Sequence, residues 1–260
     1  DGDVLIWTDV TNYPGAKTTK FIVRKINAKG KTWQMGADDS NVYWSFAGQT
    51  NAKKAHDVTL TADYYISVFP VTLAQYQRLS GGNWYGNNNK LETAPVENAS
   101  HSVFRGIVTG NMAQRLNLAV DYPTEAQWEY ACRAGVNAEL YTGKHLSSAD
   151  LAPIAWFGGD YGNADGKSHE VGLKLPNAFG LYDMIGNVCE ATCDWYSESE
   201  KGYGDGAAVT NPTGPATGTA HVYRGGSYTV GNIFCTCPGR RSNESAGGEY
   251  GFRIAFTVSD

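Results

Sequence analysis

Residues 224–253 constrain this chain more than any other stretch. They open with Arg224-Gly225-Gly226-Ser227-Tyr228 and close with Gly251-Phe252-Arg253. Paired glycines allow a tight turn that residues with side chains enter only at a cost. The two ends therefore read as a fixed frame, with Arg240 or Arg241 as a further frame residue. Between them lies a mixture that no pattern of burial or chemistry explains: Thr229, Val230, Gly231, Asn232, Ile233, Phe234 and Thr236, then Ser242, Asn243, Ser245, Ala246, Glu249 and Tyr250. Ile233 and Phe234 are adjacent in a loop expected to be exposed, and exposed apolar side chains usually mark a contact surface. The expected ligand face comprises Tyr228, Thr229, Val230, Asn232, Ile233, Phe234, Thr236, Ser242, Asn243, Ser245, Glu249 and Tyr250, with Tyr228, Phe234 and Tyr250 as anchors.

Composition narrows what can surround that stretch. The 260 residues are enough for a substantial core, and no linker separates two of them. One domain over 1–260 is expected, with a core at about 35–256 and a strand-bearing extension at 1–34. Aromatic residues make up 12% and glycines number 31, which suits an irregular backbone held by Trp and Tyr anchors. The net charge of −5 argues against nucleic acid as a partner. No apolar run approaches the roughly 20 residues of a transmembrane helix. The chain starts at Asp1 without methionine or an apolar leader. A processed secreted or cell-surface chain fits that start, as does a cloning boundary.

Periodicity supplies the elements. Val4–Trp7 and Phe21–Val23 read as strands, Tyr13–Ala16 as a turn, and Val58–Leu60 and Tyr64–Val68 as a pair of strands. A helix is expected from Thr72 as N-cap to Ser80. A second starts near Ser100, turns Val103, Ile107 and Leu116 inward, and is weakened by Gly106 and Gly110. The clearest begins with a capping box at Thr124 and Gln127 and stops before Gly135, with Trp128, Ala131 and Cys132 on its apolar side.

Several spaced motifs occur in one order: Pro70-Val71-Thr72, Ala94-Pro95-Val96-Glu97-Asn98, Tyr122 through Tyr130, Asn177 through Met184, Gly186-Asn187-Val188 and Gly251-Phe252-Arg253. Together they resemble the formylglycine-generating (sulfatase-modifying) family. That likeness implies an α+β, C-type-lectin-like fold, rich in loops, with few helices and short antiparallel strands. It also implies two active-site cysteines as soft copper(I) ligands. The second matches Cys235, but the first position holds Val230, which has no thiol. A formylglycine-type oxidase acting on a protein cysteine, with copper and Cys235 as the remaining thiol, is therefore the alternative. A Cys235-x-Cys237 pair on one strand face is a weaker substitute.

In the enzymes of that family, the segment matching residues 183–190 wraps a calcium ion. The resemblance implies a structural calcium here, held by Asp183, the carbonyls of Gly186 and Val188, and Glu190, since calcium takes hard oxygen donors. Many relatives have Trp-Glu-Trp where this chain has Cys189-Glu190-Ala191. The loop at 228–250 also looks like the variable segment of diversity-generating retroelement proteins. These present changeable side chains on the same fold, as antibody loops do on a rigid sandwich. The leading expectation is a non-enzymatic binding protein, receptor-like or adhesin-like, for a protein or glycan ligand. In relatives the segments of Cys193 and Cys235 both pass near the ligand face, so the resemblance allows these two to pair, with Cys237 and Cys189 as competing partners. The five histidines lack ligand spacing, and the glycine pairs lack the lysine of a phosphate loop.

Overall fold

The computed structural model describes residues 10–37, 54–81, 90–197, 207–243 and 247–257. The expected strand Val4–Trp7 and candidate residue Ser245 lie outside them. Helix α1 (Leu73–Ser80) has the capping box its sequence allows: the Thr72 hydroxyl accepts from the Gln75 amide while the Gln75 side chain accepts from the Thr72 amide. Gly81 ends it in a left-handed conformation. Its buried Tyr76 packs edge-on against Phe104 and Phe252.

The second expected helix starts after Ser100 but is not uniform. It runs as α2 (His101–Gly106), a π-helical segment (Ile107–Met112) and α3 (Ala113–Leu116). The inward face is Phe104, Val108 and Met112, while Val103 and Leu116 are exposed and Ile107 is half-buried. The π segment takes the place of regular turns around Gly106 and Gly110, so an inward face chosen on a regular 3.6 period is wrong here. Helix α4 (Glu125–Arg133) follows its prediction closely. The Thr124–Gln127 capping box forms, Trp128, Ala131 and Cys132 are fully buried, and Ala134 in a left-handed conformation caps the end. A short α5 spans Ser148–Leu151.

Among the described residues, ten short strands form three small sheets. Strand β1 (Val23–Ile26) and β10 (Ala255–Phe256) flank β4 (Tyr64–Ser67). Strand β2 (Lys31–Met35) and β6 (Val209–Thr210) flank β3 (His56–Leu60). The segments expected to pair as β3 and β4 therefore belong to different sheets. Each prefers a partner distant in sequence, which local pattern does not reveal.

The third sheet positions the site. Its order is β8 (Arg240–Asn243), β7 (His221–Arg224), β5 (Cys189–Trp195) and β9 (Tyr250–Phe252). β7 runs antiparallel to β5 and β8, and β9 runs parallel to β5. Side chains alternate across a strand, so this sheet has two unlike faces. One carries Cys189, Ala191, Tyr223, Tyr250 and Phe252 into an apolar cluster with Tyr76, Phe104 and Tyr122. The other carries Glu190, Arg224, Arg240 and, just beyond β9, Arg253, all buried.

Candidate functional site

The charged face of the sheet lies on α4, where the charges are paired almost completely. Arg240 meets Glu125 through two parallel bonds, Nε to Oε1 at 2.8 Å and Nη2 to Oε2 at 3.0 Å. Arg224 bonds the Glu129 carboxylate and the Gly239 carbonyl, with its guanidinium 5.1 Å from the Trp128 ring centre. Arg253 donates Nε to Glu190 Oε2 at 2.6 Å and Nη2 to Glu190 Oε1 at 2.7 Å. Its remaining donors reach the carbonyls of Ser67 and Tyr182. Paired charges with satisfied hydrogen bonds are the tolerable form of burial. Removing one partner would leave the other stranded. These residues form the frame, and Arg240 is the frame arginine that sequence left undecided.

The turn above the frame needs its glycines. Gly225 and Gly226 have φ of 88° and 71°. A Cβ on Gly226 would come within 2.5 Å of Cys235 Sγ, and one on Gly225 within 2.7 Å of the Met184 carbonyl. Either contact would push the loop off its base.

The two carboxylates expected to hold calcium are engaged elsewhere. Both Glu190 oxygens are bonded to Arg253, and Oε2 also accepts from Trp128 Nε1 at 2.6 Å. Asp183 accepts from the Gly172 amide at 2.7 Å and from Asn187 Nδ2 at 3.3 Å. Burial raises its pKa to about 6. A guanidinium already supplies the positive charge that Glu190 requires, so this donor set does not fit a calcium ion. Among the described residues, no group of three or more His, Cys, Asp or Glu side chains could hold a metal.

The expected ligand face is divided. Tyr228, Thr236 and Tyr250 are buried. Tyr228 donates its hydroxyl to the Gly248 carbonyl at 2.8 Å, clasping one end of the loop to the other. Tyr228 and Tyr250 are thus parts of the frame and not exposed anchors. Ile233 and Phe234 sit in a 3-10 turn (Asn232–Phe234), and Val230 and Ile233 pack half-buried on the larger core. Of the awkward apolar pair, Ile233 is therefore explained by docking onto the protein itself, while Phe234 instead faces the Arg241 guanidinium. Asn232 reaches the Ser148 hydroxyl at 3.2 Å. Thr229 and Ser242 are exposed, and Phe234, Asn243 and Glu249 are half-buried. These last five give the loop its accessible rim.

Sequence reasoning offered Arg241 only as an alternative frame residue and left it off the ligand face. Period-2 alternation along β8 puts it opposite Arg240, and its pairing with Tyr223 places it on the aromatic side. Its guanidinium lies 5.6 Å from the Phe234 ring centre and 5.7 Å from that of Tyr250. Nη1 donates to Glu249 Oε1 at 3.3 Å and faces Cys189 Sγ at 3.6 Å.

The cysteines do not form the expected pair. All five are free thiols. Cys193 donates to the Tyr122 carbonyl, while Cys235 packs under Gly226 and faces Ser227 and Cys189. The close sulfurs are those of Cys132 and Cys237, 3.5 Å apart. Cys235 and Cys237 thus turn to different neighbours and share no strand face. Burial pushes the Cys235 thiol far up and the Cys189 thiol to about 11, so both are protonated at neutral pH.

A model of the sulfatase-modifying factor enzyme 1-like domain matches residues 16–258. The chain belongs to that family. Within it, this sulfatase-modifying-factor chain is 33% identical over 150 residues to the formylglycine-generating enzyme of Mus musculus, covering 51% of this chain and 38% of the enzyme. It is 35% identical over 145 residues to that of Streptomyces coelicolor, covering 51% of this chain and 45% of the enzyme. It thus spans less than half the length of these relatives. Treponema denticola variable protein 1 superimposes with a TM-score of 0.78 at 24% identity, over 92% of this chain and 95% of that one. That likeness is one of fold, α+β and C-type-lectin-like, as the motifs predicted.

Proposed function

We propose that this member of the sulfatase-modifying factor family is a non-enzymatic binding protein, displayed outside the cell, whose ligand is held by the loop at 228–250. One observation carries the reading. The loop's ends and base are immobilised by buried ion pairs, while Thr229, Phe234, Ser242, Asn243 and Glu249 retain exposed surface at its rim. Rigid support beneath accessible side chains reduces the ordering cost of binding. It also lets those side chains differ without loss of the fold.

The thiol chemistry supports the same reading. Family-type oxidation uses thiolates, and here Val230 replaces one of the two sulfurs while Cys235 is sealed and protonated. The likeness to Treponema denticola variable protein 1 supports a display function. The test has two arms. Incubation with a Cys-x-Pro-x-Arg peptide, copper and oxygen should give no aldehyde by mass, and robust turnover would overturn the proposal. Charge-introducing or bulky changes at Thr229 and Ser242 should alter binding of a peptide selected against the chain while leaving thermal unfolding unchanged. Indifference of binding to both positions would place the ligand elsewhere.

A further inference from the structure

The rim contains a cation that nothing above uses. We infer that Arg241 is the centre of the ligand face and takes a carboxylate from an acidic residue of a polypeptide partner; this rests on the binding reading proposed above. The Arg241 guanidinium lies 5.6 Å and 5.7 Å from the ring centres of Phe234 and Tyr250, contacts that hold it without consuming its donors. Glu249 and Cys189 both engage Nη1 alone. Among the described contacts, Nε and Nη2 make no hydrogen bond, and the side chain keeps 27% of its surface.

An arginine with one edge tied and the other open presents parallel N–H groups at the spacing of a carboxylate. Its two neighbours in the frame show the same geometry already filled. Arg240 and Arg253 each hold a carboxylate through Nε and Nη2. Arg241 offers that same pair of atoms to whatever docks. Its surroundings favour a polypeptide acid over a sugar acid. The guanidinium already stands against both aromatic rings, so they are less available to stack on a sugar. The net charge of −5 makes the cation a local feature and not part of a general anion-attracting surface.

The intact chain should be panned against a displayed library of random linear peptides, and the recovered peptides assayed for affinity. The expected peptides share an Asp or Glu. Changing that residue to its amide, or changing Arg241→Gln, should each weaken binding by about 10-fold or more, with no further loss when the two are combined. Arg241→Lys should recover part of the affinity as a point charge without the fork. Thermal unfolding of each variant checks that the fold is retained. Non-additivity with the peptide's own acid is a readout that a merely structural arginine would not give.

Peptides lacking an acid, or equal binding by Arg241→Gln, would overturn the inference. If such peptides still lose affinity on Thr229→Arg or Ser242→Arg, the binding face stands and only the role of Arg241 falls. If no recovered peptide responds to any rim change, both fall. Recovery on a glycan array of a uronic-acid sugar, with no acidic peptide in the panning, would overturn the polypeptide assignment.

Discussion

Arg240 and Arg241 are neighbours on one strand with the same side chain, yet they have different roles. Arg240 is buried against α4 with its donors on Glu125 and the Ser197 carbonyl. Arg241 sits on the opposite side, half-buried, with one edge against Glu249 and the other open. The pleat of the strand separates them. The contrast teaches that satisfaction of donors, more than residue type, distinguishes a frame arginine from one available to a ligand. It extends to the whole loop, whose base is an ionic layer and whose rim is a set of loosely held polar and aromatic groups.

The ionic layer should fail first and hardest. Arg253→Ala would leave the Glu190 carboxylate buried with, among the described residues, only Trp128 Nε1 as a donor and would free the carbonyls of Ser67 and Tyr182. Breaking one side of a buried pair typically costs about 3–5 kcal/mol. Chemical denaturation should show a loss of that size, or a chain that no longer folds. A loss below about 1 kcal/mol would mean the layer is wetter than its geometry implies, and the contrast with the rim would collapse.

The sheet's aromatic face allows a second test, at the end away from Arg241 and Glu249. There, His101 stacks on His221 with ring centres 3.6 Å apart, and His221 stacks on Trp195 at 3.6 Å. Burial lowers the His101 pKa to about 4, even though its Nε2 bonds the Thr192 carbonyl. Its folded pKa lies below the unfolded value of about 6.5, so the unfolded chain binds the proton more readily. The stabilising contribution is therefore complete above pH 6.5 and is lost as pH falls toward 4. Asp183, with its pKa raised to about 6, works in the opposite sense. The two are separated by comparison with His101→Phe, which keeps a ring in the stack and removes the titration. Wild type should lose up to about 3 kcal/mol relative to that variant between pH 7 and pH 4. A flat difference would mean that His101 is solvated.

Much of this architecture was legible, for identifiable reasons. Helices α1 and α4 were found because their capping boxes are local signals. The glycine turn and the terminal Gly-Phe-Arg were recognised as frame because such residues have few other uses. What failed depended on long-range pairing. The partners of β3 and β4 lie far along the chain, and the π segment moved the inward face from Val103 and Leu116 to Phe104, Val108 and Met112. Tyr228 and Tyr250 suited a binding surface by residue type, but the fold buries them. Arg241 was not separated from Arg240 because two adjacent arginines look alike until a strand assigns them to opposite faces. That alternation was readable in principle.

At the rim, substitutions should have almost no effect on stability. Thr229→Ala removes a hydroxyl that, among the described residues, hydrogen-bonds Ser227 alone, at 3.0 Å, and Ser242 is exposed on an edge strand. Each alanine variant should unfold within about 0.5 kcal/mol of wild type. A larger loss at either position would make the rim part of the frame. The smallest effect expected is from a chelator. Glu190 spends both oxygens on Arg253, and Asp183 is held by the Gly172 amide and the Asn187 carboxamide. A calcium ion seated there would have to displace the guanidinium, exchanging an existing ion pair for a new one while stranding Arg253. The melting temperature should therefore be the same with and without EDTA. A fall on chelation, restored by calcium, would show that the charge balancing Glu190 is a metal ion, and the frame described here would have to be redrawn around it.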